Sequence, residues 1–70
     1  MFKIQLKAAR SNADLSLDDM SKALKTSKNT VIDWEKERKP IPYEKYLLYC
    51  KTCNIDPKYV RAWVKQIRTI

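Results

Sequence analysis

The sequence predicts an all-α fold, five short helices in one compact unit. Three observations carry that expectation. Apolar residues recur at three- and four-residue spacings throughout, and no segment reads as alternating with period two. Ser, Asp and Pro residues with helix-start and helix-stop chemistry divide the chain into five segments. Seventy residues leave room for a single domain, 1–70. A chain of that size buries roughly 60% of the surface its unfolded form exposes, so most of its apolar residues must be inside.

Phe2, Leu6, Ala9 and Ala13 stand at i, i+4, i+7 and i+11, one face of a first helix. Ser16 is placed to cap a second, with Asp19 in the capping-box position three residues on. Leu17, Met20, Ala23 and Leu24 mark its buried side. Lys25-Thr26-Ser27 breaks the pattern, and Ser27 can cap a third helix. Only Val31 and Trp34 fall on a clear inner face there; Lys28, Asn29, Thr30, Ile32 and Asp33 make up the rest. Pro40-Ile41-Pro42 ends this region, because each proline disfavours helix at the residue before it, and Pro42 then serves as a first helical residue. Tyr43, Tyr46, Leu47, Cys50 and Cys53 follow at helical spacing, with Asn54 as a left-handed stop. Asp56-Pro57 reads as a restart, and Val60, Trp63, Val64 and Ile67 as the stripe of a fifth helix.

Composition excludes several chemistries. The chain has 15 Lys and Arg against 8 Asp and Glu, a formal charge of +7. Such a surplus points to a polyanionic partner. No glycine is present, which excludes the Gly-rich phosphate loops of nucleotide-binding folds. No histidine is present, which removes the commonest general base and the commonest metal ligand. No catalytic group stands at a meaningful spacing, so an enzyme is not expected. Cys50 and Cys53 are two thiols where a zinc site needs about four ligands. They read as small buried side chains one turn apart, with a dimer-bridging metal or a redox pair as the alternatives. No cofactor, metal or small-molecule substrate is implied. No apolar run of 18 residues would span a membrane, and MFKIQLKAAR lacks the apolar core of a signal peptide. A cytoplasmic protein is therefore expected.

The informative segment runs from Leu15 to Trp34, with the two short helices and their turn at about 17–36. A capped helix, a three-residue turn and a second helix with a polar outer face make a helix-turn-helix. In that arrangement the first helix crosses the phosphate backbone and the second presents its N-terminal side chains to the major groove. The recognition helix would span about 28–36. LSLDDMSKALKTSKNTVIDWEKERKP resembles the core of the Cro/repressor family, the lambda-repressor-like fold. Leu15-Ser16, Thr30-Val31, Trp34-Glu35 and Pro40 fall in register with that family, over about residues 4 to 60. The resemblance implies a five-helix domain, usually dimeric on a palindromic double-stranded operator, in bacterial or phage-infected cells. It also implies an ion pair between Arg10, at the end of the first helix, and Glu35, just after the recognition helix; two solvated charges are the alternative.

Position then assigns roles on DNA. Lys28 and Asn29 are the leading candidates for base edges, since Lys suits guanine and Asn suits adenine, with Thr30 and Asp33 behind them. Ser16 and Ser27 combine capping with helix starts that face phosphate. Lys22, Lys25, Lys36, Arg38 and Lys39 are phosphate candidates, and roughly half will prove solvated instead.

Three residues depart from the family pattern. Leu17 replaces a Gln that touches phosphate, Lys25 replaces the glycine of the turn, and Asp33 places an anion on the reading face. Leu17, Ile32 and Asp33, two apolar and one anionic on what should be a DNA face, motivate a second reading, a protein-binding module of the same fold that grips a partner regulator, as an antirepressor or antitoxin does. The expected last helix adds Lys58, Arg61, Lys65 and Arg68 as a basic stripe. It is a solvated face, a second polyanion contact, or a homodimer seam using Trp63 with Tyr59 or Ile67.

Overall fold

The computed structural model describes residues 3–65. Among them are four α-helices: α1 (Leu6–Asn12), α2 (Leu17–Ala23), α3 (Lys28–Glu35) and α4 (Tyr43–Thr52). Four two-residue strands accompany them: β1 (Ile4–Gln5), β2 (Ile41–Pro42), β3 (Val60–Arg61) and β4 (Val64–Lys65). A single 3₁₀ turn, Pro57–Tyr59, precedes β3.

The helix starts follow their caps. The Ser16 hydroxyl accepts from the Asp19 N–H at 3.0 Å, and Asp19 Oδ2 accepts from the Ser16 N–H at 3.1 Å, a complete capping box. Those bonds, the Ser16 backbone N–H first, hold the Asp19 carboxyl below its ordinary pKa. Ser27 Oγ accepts from the Thr30 N–H at 3.1 Å and opens α3. Pro42 lies one residue outside α4, in β2, so the first helical residue is Tyr43.

Every helix ends in the same way, without glycine. The residues after the C-caps, Asp14, Lys25, Glu37 and Asn54, have φ of 59°, 55°, 58° and 57°. In each case the next residue donates its N–H to a carbonyl five positions back: Leu15 to Arg10, Thr26 to Ser21, Arg38 to Asp33 and Ile55 to Cys50. These are four Schellman closures, three of them holding a residue other than Gly or Asn in the left-handed region.

The core joins all four helices: Leu6 and Ala9 of α1, Met20 and Leu24 around α2, Val31 and Trp34 of α3, and Tyr46, Tyr49 and Cys50 of α4. Ile41, Cys53 and Val60 complete it. The inner face of α4 is 46, 49, 50 and 53. Tyr43 and Leu47, expected inside, are exposed, and Tyr49, which apolar spacing does not mark, is fully buried. Ile41, read only as part of a breaker, is fully buried as well.

The fifth helix is not formed among the described residues. Asp56 Oδ1 accepts from the Lys58 N–H at 3.0 Å, but the turn it opens stops at Tyr59. The chain then runs extended. β3 pairs in parallel with β1 (Ile4 opposite Val60), and β4 with β2 (Ile41 opposite Val64). The Ile41 N–H donates to the Trp63 carbonyl at 2.9 Å. Two causes favour the strand. Val60 and Val64 are β-branched and pack well on a pleated surface. The Tyr46 hydroxyl also lies 2.7 Å from the Pro57 carbonyl and 3.0 Å from that of Val60, fixing the turn against α4. From Val60 to Lys65 burial alternates, with 60, 62 and 64 inward and 61, 63 and 65 outward. The period is two, where spacings of three and four were expected. Phe2, Ile67 and Arg68 lie outside the described residues.

Candidate nucleic-acid interface

α2 and α3 pack against each other across the turn Leu24–Ser27, and the turn is tied down from behind. Lys45 Nζ of α4 donates to the Leu24 carbonyl at 2.7 Å, supplying a cation and a donor to the C-terminus of α2. No sequence signal pointed to Lys45. Lys25 holds the left-handed position of the turn despite its Cβ.

α3 is anchored on one narrow side. Val31 and Trp34 are buried. The third anchor is electrostatic. Arg10 Nε lies 2.8 Å from Glu35 Oε2, and Arg10 Nη2 lies 3.2 Å from Oε1, a bidentate pair with side chains only 11% and 5% exposed. Arg10 Nη1 also donates to the Leu15 carbonyl at 3.0 Å, closing the end of α1. The Tyr49 hydroxyl joins from α4, 2.7 Å from Glu35 Oε2 and 2.9 Å from the Leu6 carbonyl. Its one proton serves the charged carboxylate best. Bonding to Glu35 raises the Arg10 pKa further. Burial, and then the bond to Glu35, raise that of Tyr49 far above the ordinary phenol range. The network ties α1, α3 and α4 together at the last residue of α3. Arg10 and Glu35 were legible through the family pattern; Tyr49 was not, because its neighbour Cys50 fits the same apolar stripe.

The outer side of α3 follows from that anchoring. Lys28, Asn29 and Lys36 are exposed, and Thr30, Ile32 and Asp33 are half-buried. The side chain of Lys28 is 3.8 Å from Asp18 Oδ1, while Lys22 is 3.2 Å from the other oxygen of the same carboxylate. Asp18 is therefore a member of this surface that sequence reasoning left out, although its i,i+4 spacing to Lys22 marks it. Asp33 is flanked by Arg38 Nη1 at 3.6 Å and Lys39 Nζ at 3.9 Å, so its anionic charge sits inside a basic exit loop. The Thr30 hydroxyl is 2.8 Å from that of Ser27, one donating to the other. Lys22, Lys25, Lys36, Arg38 and Lys39 are all exposed.

Leu17 and Ile32 line a groove of about 580 Å³ between the starts of α1 and α2 and the end of α3. Lys7, Lys36 and Glu37 also line it, with the Arg10–Glu35 pair.

The residues expected on a fifth helix do not join this surface as a helical stripe. Tyr59, Arg61, Trp63 and Lys65 are exposed on the turn and the extended segment, alternating with inward residues. Cys50 and Cys53 are free and buried; burial raises both thiols, that of Cys53 to about 11. Among the described residues, no cluster of three or more His, Cys, Asp or Glu is placed to hold a metal ion, and no helix is long and apolar enough to cross a membrane.

Comparison with known proteins gives one match: a family described as helix-turn-helix, over residues 6–60. No curated protein and no solved structure matches the chain.

Proposed function

The chain belongs to the Cro/repressor-type helix-turn-helix family, and on that premise we propose that it is a sequence-specific DNA-binding regulator of transcription that lays α3 in the major groove. The observation that carries this reading is the one-sided anchoring of α3. Val31, Trp34 and the Glu35 pair occupy its inner side and leave Lys28, Asn29 and Lys36 outward, with Asp33 at the edge of the basic exit loop. Lys28 and Asn29 read base edges; Thr30 and Asp33 contribute at the margin, Asp33 by accepting from a cytosine amino group. Ser16 and Ser27 contact phosphate at helix starts. Lys22, Lys25, Lys36, Arg38 and Lys39 neutralise phosphates along the flanks. The Asp18 pairs with Lys22 and Lys28 are exposed contacts of at most about 1 kcal/mol, which phosphates readily displace. A homodimer on a palindromic operator in a bacterial or phage-infected cell is the form this reading takes.

One observation favours a second reading. The groove lined by Leu17 and Ile32 offers apolar surface beside the reading helix, where a partner regulator could seat a side chain. In that reading the chain is an antirepressor or antitoxin. Two assays on the same preparation separate the readings: a gel shift on upstream DNA at low salt, and a pull-down with co-encoded neighbours. Retarded DNA supports the regulator. A stable heterodimer with no retarded DNA supports the protein-binding module.

A further inference from the structure

We propose that the outward side of residues 58–65 is a second binding surface, and that its occupant is single-stranded nucleic acid. Along the extended segment Arg61, Trp63 and Lys65 are exposed in alternation with inward residues, and Tyr59, at the end of the preceding 3₁₀ turn, is exposed too, so aromatic and cationic residues interleave in sequence. Trp63 is 50% exposed and Tyr59 39% exposed, so part of each ring is open to a ligand. Lys58 Nζ lies 5.2 Å from the centroid of the Tyr59 ring, adding a third cation. Among the described residues, none of Lys58, Arg61 and Lys65 forms an ion pair. The last acid of the chain is Asp56, and its carboxylate accepts the Lys58 N–H.

Interleaved rings and cations match the two needs of a single strand, bases that stack on aromatic faces and a backbone that tracks positive charge. A duplex keeps its base faces stacked and offers these rings nothing. Tyr, Trp and Arg also suit a protein interface, but three cations with no acid from 58 to 65 favour a polyanion. The surface lies outside α2 and α3, so it does not depend on the reading given to those helices.

Two tryptophans make the test direct, since Trp34 is buried and Trp63 is not. An oligothymidylate of about ten nucleotides, added at low salt, is expected to quench the exposed tryptophan. Anisotropy of the labelled strand is expected to show binding about 5- to 100-fold weaker in Trp63→Ala and in the Arg61→Ala/Lys65→Ala variant. All these positions are exposed, so melting temperature should stay unchanged, and Trp63→Ala, which removes no charge, should leave duplex binding unaffected. No single-strand binding would overturn the proposal. So would equal binding of a duplex of the same length with the same loss in Trp63→Ala. So would a Trp63→Ala variant that keeps its single-strand affinity, or whose only change is from dimer to monomer by light scattering, which would make the surface a self-interface.

Discussion

At the scale of single residues, the Arg10–Glu35–Tyr49 network is the costliest to disturb. Arg10→Ala leaves the Glu35 carboxylate buried with only the Tyr49 hydroxyl beside it. The expected loss is about 3–5 kcal/mol in urea unfolding. Tyr49→Phe removes one hydrogen bond to a charged group and should cost about 1.5–3 kcal/mol. A loss under about 1 kcal/mol for Arg10→Ala would mean that the pair is solvated in solution. The buried thiols make a second prediction. Both have raised pKa values in the fold, Cys53 about 11 against an ordinary 9.0. Well below pH 9 both the folded and the unfolded thiols are protonated and contribute nothing to pH dependence. Above it the unfolded chain ionises first, so stability falls as pH rises from about 9 to 11. Cys53→Ala should flatten that fall, and the native thiols should resist alkylation at neutral pH. Among these residues, Arg10 and Glu35 could be recognised from their place in a family pattern. Tyr49 could not, because hydrophobic spacing does not tell which aromatic also carries a buried hydrogen bond.

At the scale of elements, the chain closes four helices without one glycine. Asp14, Lys25 and Glu37 each hold a left-handed φ that costs a residue with a Cβ about 1–2 kcal/mol. Lys25→Gly and Glu37→Gly should each raise stability, by about 0.5–1 kcal/mol once the greater freedom of glycine in the unfolded chain is set against the relief. The double variant should be close to additive, because the two turns are separate. Unchanged or lower melting temperatures would show that the strain is relieved in solution. Two helix starts were legible: Ser16 and Ser27 cap α2 and α3, while Asp56 caps only a 3₁₀ turn. The last element was not. Val-Arg-Ala-Trp-Val-Lys fits period two as well as a helical stripe, and Asp56-Pro57 starts a turn without determining the conformation beyond Tyr59. Pairing partners for the strand, Ile4–Gln5 and Ile41–Pro42, are distant in sequence and too short to announce themselves. Tertiary pairing overrode a local start signal.

At the scale of the whole molecule, most of the +7 charge falls on two stretches of the chain. From Lys22 to Lys39 six basic residues are offset by three acids, and one of those acids, Glu35, is buried in its pair with Arg10. From Lys58 to Lys65 there are three basic residues and no acid. The first surface surrounds α3; the second is a strip of cations and rings. If the five flanking cations of the first surface all meet phosphate, the log of the duplex affinity should fall against the log of salt with a slope of about −4 to −5 per bound chain. The central claim, that α3 reads sequence, is tested most directly by salt-titrated anisotropy on upstream duplex DNA with the parent chain and Asn29→Ala. Loss of an adenine-reading pair should cost the variant about 1–3 kcal/mol at the preferred site. Affinity for unrelated DNA and the salt slope should hardly move, since Asn29 carries no charge. Equal binding of both proteins to upstream and unrelated DNA, at every salt concentration, would contradict the assignment of α3 as the element that reads sequence.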